Sequence, residues 1–347
     1  VFRVPLAARG SGRALRLVIK YLSFILSGLL FAPWLLRRRS YNVIFVYASS
    51  PLLQAIPVIF LAWLKRCPLI VWVQDLWPES LAATGYVRNH HILAAVGWVV
   101  RFVYRHSDLL LVQSRAFEPS VAAAAPGKPI VYYPNSVEAV FYAQSKGDQP
   151  EVPGLDTGFP VVFAGNIGAA QAVEVIVEAA TLLRGNADIR FVVLGGGSRR
   201  DWLRQEVQAR GVTNVYIPGR YPVEAMPGIL QKASALLVTL ADEPIFSVTV
   251  PGRLQTYMAA GRPILASLNG EGARLIIEAE AGLAAPAEDP RALADAVLQL
   301  FRMTHAEREK MGSNGRRYFS AHFDRELLVD QLLDHFRSVT SPKVTKW

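Results

Sequence analysis

The residues whose types and spacing suit chemistry fall into four glycine-bearing turns and one acidic segment. In Phe163-Ala164-Gly165-Asn166-Ile167-Gly168-Ala169-Ala170-Gln171 an apolar run enters a turn. Glycine there lets backbone N–H groups approach an anion, and a helix start behind the turn would add its dipole. Gly165, Asn166, Gly168 and Gln171 are the candidates. The spacing is not the full Gly-x-Gly-x-x-Gly fingerprint, so a plain tight turn is an equal reading. Leu194-Gly195-Gly196-Gly197 permits the same close approach, or a flexible loop, with Gly195 the candidate. In Pro218-Gly219-Arg220 a guanidinium follows a strand, where doubly wound sheets bind ligands. It would suit a diphosphate, or be a solvated surface arginine. Thr249, Pro251, Gly252, Arg253 and Thr256 belong to a Pro-Gly turn that opens a short helix, offering a cation and free N–H groups together. Asn269-Gly270-Glu271-Gly272 follows one strand later. Asp75 and Glu79, in Gln74-Asp75-Leu76-Trp77-Pro78-Glu79, come directly after an apolar strand; Asp75 caps a turn or faces a cleft.

The elements that must position these groups alternate. Strands are expected at 42–47, 68–73, 108–112 and 129–132, with helices at 51–64, 88–105 and 114–124, the last opened by a Ser114 cap. A polar, Gly- and Pro-rich stretch, 143–158, reads as a linker. A second series follows, with strands at 160–164, 189–194, 215–218, 235–240 and 263–266. Its helices are expected at 169–183, 199–210, 223–232 and 254–260, and three more near 289–302, 305–321 and 324–339 close the chain. Such alternation predicts an α/β class with two facing Rossmann-like domains, each a parallel sheet flanked by helices. The expected domains are 1–142 and 159–347, with the last helix returning to the first domain.

Composition sets further limits. The chain has 347 residues, 52% apolar and 19% charged, which excludes general disorder. A single cysteine, Cys67, excludes an internal disulfide framework. The net charge of +9 is uneven: residues 1–150 hold 16 Lys/Arg against 6 Asp/Glu, and residues 151–347 hold 21 against 22. Tyr21–Leu36 is uncharged and flanked by basic residues, among them Arg37-Arg38-Arg39. It is short for a spanning helix, which needs roughly 20 apolar residues, and contains Pro33. It fits an interfacial helix on anionic lipid or a very apolar core helix. No phosphate loop, Gly-x-Ser-x-Gly elbow or Asp-x-Asp pair occurs, and the six histidines lack zinc-site spacing. Basic residues without aromatic interleaving or a known module argue against a nucleic-acid partner.

Taken together, the segments resemble the family 4 glycosyltransferases of the GT-B fold, nearest the bacterial O-antigen and colanic-acid type. The resemblance rests on Asp75 to Ser80, Pro134 to Val137, Gly165 to Gln171 and Val250 to Pro263, in that order, and runs from about residue 1 to 340. Two family features are missing: Val248 and Thr256 stand at the positions of a Glu-x7-Glu pair, and Gln74 replaces a histidine. The ribose contact then falls to Thr256 or Glu271. The family's opening strand and Gly-rich loop have no counterpart, so the chain, which begins Val1-Phe2, is expected to start after them.

The resemblance implies a retaining, metal-independent hexosyltransferase-type enzyme without cofactor. It would move a sugar from a nucleotide diphosphate sugar, UDP-linked, to a lipid-diphosphate-linked saccharide in surface polysaccharide synthesis, bound peripherally at the cytoplasmic face of the bacterial inner membrane. Arg220, Arg253 and the Gly turns would neutralise the leaving diphosphate, and Asp75 and Glu79 would act on the acceptor side. The alternatives are a sugar-nucleotide epimerase of the same fold and a non-catalytic fragment that keeps donor binding.

Overall fold

The computed structural model describes residues 1–6, 14–49, 52–83, 87, 89–141 and 150–340. The chain forms two compact units, Val1–Pro134 with Val329–Trp347, and Asn135–Leu328.

In the first unit the elements are α1 (Ala14–Leu35), β1 (Ile44–Ala48), α2 (Ala55–Lys65), β2 (Leu69–Val73), α3 (Glu79–Ala83), α4 (His90–Arg105), β3 (Leu109–Val112), α5 (Glu118–Ala124) and β4 (Ile130–Tyr132). The four strands pair in parallel in the order β1-β2-β3-β4. Strands β2 and β3 are apolar throughout, because a parallel sheet covered on both faces leaves no wet side. Helix α1 packs on α2 where Gly28 meets Pro57; a methyl at Gly28 would lie 2.7 Å from its Cβ. Asn89 caps α4, its side chain accepting from His91 N and Ile92 N. The helix expected over 114–124 is instead a 3-10 turn (Arg115–Phe117) followed by α5, and the Ser114 side chain makes no capping bond.

The second unit contains β5 (Phe159–Asn166), α6 (Glu174–Leu182), β6 (Ile189–Gly196), α7 (Arg200–Ala209), β7 (Val215–Gly219), α8 (Met226–Lys232), β8 (Ala235–Thr239), α9 (Pro244–Val248), α10 (Arg253–Ala260), β9 (Ile264–Ser267), α11 (Glu271–Glu278), β10 (Gly282–Ala285), α12 (Pro290–Arg302) and α13 (His305–His322). A last helix, α14 (Arg325–Thr340), begins in the second unit and ends with the residues grouped in the first. The sheet is parallel throughout, in the order β10-β9-β8-β5-β6-β7. Alternate residues of one strand enter opposite cores: Val161 and Phe163 pack with Val193 and Leu237, whereas Val162 packs with Val192 and Leu236. Val152 and Leu155, inside the stretch read as a linker, are buried in this unit's core. The unit boundary at Pro134 precedes the expected end at 142, and residues 142–149 lie outside the described set.

Strand β5 has β6 on one side and β8 on the other, and from it the chain winds outward in both directions. That reversal is the topological switch point of an open α/β sheet. Its crevice opens beyond the carboxyl ends of β5 and β8, where ligands bind in such folds.

Candidate functional site

The crevice of the second unit is built from the glycine motifs, but not as short turns. Strands β5 and β6 run on through them, so that Gly165 pairs with Gly195 and Asn166 with Gly196. The reason is steric. Gly195 has φ +129°, and a methyl there would lie 1.9 Å from the Gly165 carbonyl oxygen. Only glycine lets the two backbones close at that point.

Beyond β5, Ile167 N donates to Gly196 O at 3.0 Å, and the chain folds into a 3-10 turn, Ala169–Gln171. The Gln171 side-chain oxygen accepts from Gly168 N and from Asn166 Nδ2, both at 3.1 Å. Ala172 then adopts a left-handed conformation, φ +41°, which ends the turn. Thus the helix expected at 169–183 starts only at Glu174, and its N-terminus does not sit directly behind the glycine turn. The motif is held from the far side of the switch point, since Ala241 N donates to Ala170 O at 3.0 Å and the Thr239 hydroxyl donates to Gln171 O.

Arg253 is the first residue of α10 and reaches back to the end of β5. Its guanidinium lies 4.5 Å over the Phe163 ring. A methyl at Gly165 would lie 3.1 Å from its Nη2. Nη1 is buried and has no hydrogen-bond partner. Burial pulls the Arg253 pKa below the ordinary guanidinium range, with the Tyr257 hydroxyl opposing the shift. Tyr257, one turn along α10, is buried and accepts from Ala164 N at 2.9 Å. On the neighbouring strand end, the exposed Arg220 packs over Gly196, where a methyl would lie 2.6 Å from its Nε. Two guanidinium groups therefore stand over the paired ends of β5 and β6, on one side of the switch point. A buried, unpartnered N–H of a cation is costly, and an anion placed there satisfies it.

The other expected donor residues divide. Thr249 spends its hydroxyl on Ile245 O at 2.7 Å, closing α9, a short helix the sequence did not suggest. Pro251 O accepts from Leu254 N at 2.9 Å. Gly252 is exposed, and a methyl on it would meet nothing within 4 Å. Thr256 is half-buried on α10. Glu271 opens α11 and receives Arg274 Nε and Nη2 at 2.9 and 2.8 Å. Helix α11 and strand β10 were also unforeseen; Gly282 lies so close to Ile264 O that a methyl would come within 1.8 Å.

Sequence reasoning missed Tyr257 and Phe163, although Arg253 and Tyr257 stand four apart on one helix face. It also missed the Arg199–Glu174 ion pair, whose guanidinium stacks 4.1 Å over Trp202 and whose Nε is buried without a partner.

In the first unit, Asp75 follows β2 and Glu79 opens the five-residue α3. Both carboxylates act on Tyr104 of α4: its hydroxyl is buried without a hydrogen-bond partner and held above the ordinary phenol range, first by burial, then by Glu79 and Asp75. Asp75 also raises Tyr47, after burial. At the carboxyl ends of β2 and β3, Gln74 Nε2 and Gln113 Oε1 are buried and unpartnered, and Gln113 Nε2 donates to Gln74 O at 3.5 Å. The Trp77–Pro78 peptide is cis. Among the described residues no three His, Cys, Asp or Glu side chains group as metal ligands.

Residues 158–303 match the family model described as Glycosyl transferases group 1. The chain is 26% identical over 286 residues to "Probable glycosyltransferase WbjE" of Pseudomonas aeruginosa, covering 80% of this chain and 71% of the relative. It is 27% identical to "Putative colanic acid biosynthesis glycosyl transferase WcaI" of Escherichia coli K12, over 43% of this chain and 37% of that one. Among solved structures, Anabaena HepE in complex with UDP superposes with a TM-score of 0.71 at 14% identity, covering 92% of this chain and 84% of that chain. Two parallel-sheet units, a crevice at the switch point of the second, and the family match over that unit lead to one conclusion: the chain is a glycosyltransferase of the GT-B fold, with its group 1 domain at residues 158–303.

Proposed function

We propose that this chain transfers a hexose-type sugar, with retention and without a metal, from a UDP-linked donor to a lipid-diphosphate-linked saccharide in bacterial surface polysaccharide synthesis (O-antigen, capsule or exopolysaccharide). The observation that carries the reading is Arg253, whose Nη1 is buried and unpartnered and whose Nη2 stands beside Gly165. A diphosphate is the anion that such a fork, together with Arg220, would hold. HepE, of like fold, was solved with UDP, and WcaI is named for colanic acid biosynthesis.

In this reading the backbone at Gly165, Asn166, Gly168 and Gly195 admits the diphosphate, and the two guanidinium groups offset the charge that grows on it as the sugar leaves. At an effective dielectric constant of about 20, one unit charge pair at 4 Å is worth about 4 kcal/mol, enough for two arginines to serve where many transferases use a cation. Gln171 holds the turn rather than the ligand, and Thr256 or Glu271 meets the ribose. Asp75 and Glu79 orient the acceptor hydroxyl or stabilise charge developing on the sugar ring.

Attachment to the cytoplasmic face of an inner membrane is supported by one stripe of α1. Leu22, Leu26, Leu30 and Trp34, spaced four apart, are 52, 60, 70 and 61% exposed, and Arg37, Arg38 and Arg39 follow. Side chains of residues 7–18, part of the basic flank, lie outside the described set. No described helix is long and apolar enough to cross a membrane. A transfer assay with UDP-sugars and prenyl-diphosphate-linked saccharides, in excess chelator, tests the reading: turnover should persist, with the anomeric configuration retained. Activity that vanishes with chelator and returns with magnesium would overturn the two-arginine account.

A further inference from the structure

At the switch point the two sides of β5 end differently. Towards β6 the pairing runs on to Asn166 with Gly196, whereas towards β8 it stops at Phe163 with Leu237. Strand β8 itself continues against β9 as far as Thr239 with Ser267. Phe159 N and Ile167 N both donate to the β6 side, to Asp188 O at 2.7 Å and to Gly196 O at 3.0 Å. Backbone groups alternate in direction along a strand, so those of Ala164 point to the β8 side, past the last rung of that ladder. A ladder that merely stopped there would leave an N–H and a carbonyl orphaned in half-buried ground. Tyr257 prevents this. Its hydroxyl accepts from Ala164 N at 2.9 Å and donates to Ala164 O at 3.3 Å, and a phenol has the donor and acceptor sites for both. The Tyr257 side chain is 1% exposed and belongs to the same apolar core as Val162, Leu194 and Leu236. An apolar ring would fill that space equally well; only the hydroxyl meets Ala164.

We infer that Tyr257 is a positioning residue for the diphosphate site. The inference rests on the reading of Arg253 as the diphosphate ligand and names the group that holds Arg253 in place. Arg253 and Tyr257 stand one turn apart on α10 and address three consecutive residues of β5. The guanidinium lies over the Phe163 ring, the phenol takes both backbone groups of Ala164, and Nη2 stands beside Gly165. Nη1 has no partner of its own, so the seating of the helix decides where the guanidinium lies. The same hydroxyl lets β5 part from β8 without an orphaned amide, and the crevice opens where the two strands part.

Calorimetric titration of the full chain with UDP, and displacement of UDP by uridine, across Tyr257→Phe, Arg253→Ala and the double variant test this. Tyr257→Phe should weaken UDP about fivefold, equivalent to about 1 kcal/mol, and uridine less than about twofold, because only the diphosphate meets Arg253. In the Arg253→Ala background the same change should alter UDP affinity by less than about twofold, since a residue that acts through Arg253 then has nothing left to position. Wild-type UDP affinity in Tyr257→Phe would overturn the inference, as would an equal loss in both backgrounds, the mark of a general loosening of the core. Hydrogen exchange gives a reading that needs no variant: the Ala164 amide of the free wild type should be protected although no strand pairs with it. Exchange there at the rate of an exposed amide would overturn the inference as well. Undiminished UDP affinity in Arg253→Ala would overturn the reading of the site, and the inference with it. A loss in Arg253→Ala with none in Tyr257→Phe would spare that reading and remove only the role of Tyr257.

Discussion

Replacing Arg253 by Ala separates a ligand-binding role from a structural one. The guanidinium makes no ion pair among the described residues; it rests on the Phe163 ring at 4.5 Å and leaves Nη1 buried and unpartnered. In the free protein its removal gives up a cation–π contact worth about 0.5–2 kcal/mol. It also relieves the cost of a buried, unsatisfied donor, about 1–3 kcal/mol. The two nearly cancel, so the free variant should unfold within about 1 kcal/mol of wild type. With a diphosphate bound the balance changes, because a charge-assisted hydrogen bond is then lost, about 1.5–3 kcal/mol. At 1.4 kcal/mol per factor of ten, that is a loss of about 10- to 150-fold in UDP affinity. Calorimetric titration with UDP, alongside urea unfolding of the free protein, measures both. Arg253→Lys should recover only part of the affinity, since an ammonium keeps the charge but loses the planar fork. Unchanged UDP affinity in Arg253→Ala, or a free protein weakened by more than about 3 kcal/mol, would refute the reasoning; the latter would make Arg253 a structural residue.

Gly165→Ala should also weaken UDP, by about tenfold or more, because φ is +146° and the new methyl would push against Arg253 Nη2; titration of the folded variant measures it. Asp75→Asn should lower turnover by about 100-fold or more while changing donor affinity less than about threefold, a contrast read from kcat and from UDP binding. Tyr104, with its hydroxyl held high by burial and by Glu79 and Asp75, sets a sign for alkaline stability. The folded state keeps this proton more tightly than the unfolded state, so its contribution is whole below about pH 10, the unfolded phenol value, and is lost as pH rises beyond it. Urea midpoints at pH 9 and pH 11 should therefore fall less in Tyr104→Phe than in wild type.

The sequence was a good guide to element type and a poor one to element ends. Apolar runs such as Leu69–Val73 and Leu109–Val112 declare buried parallel strands without help from the rest of the chain. Strand ends at glycine did not declare themselves, because the same Gly-Gly-Gly string serves a loop or a close backbone pair. Gly165 and Gly195 are strand residues only because the two carbonyl ladders continue past them. Helix α11 and strand β10 were missed for a related reason. Gly282–Ala285 has little β-propensity of its own and is a strand because it fills the edge beside β9.

What the sequence by itself determined is the fold class, the four glycine-bearing motifs, the excess of positive charge in the first 150 residues and the candidacy of Arg220 and Arg253, all of which are properties of residue type and local spacing. The tertiary structure decided which of these meet. Arg253 lies 88 positions beyond Gly165, and no periodicity relates them; the order β10-β9-β8-β5-β6-β7 brings α10 back across the carboxyl end of β5. The same packing separates the glycines that need to be glycine from Gly252, where a methyl would meet nothing. It also leaves Tyr104, Gln74 and Gln113 with buried polar atoms beside or near the acidic segment, which no reading of three scattered residues could show. Spacing along a chain reports what one element can do alone, whereas a binding site is made where distant elements bury or expose one another's polar groups.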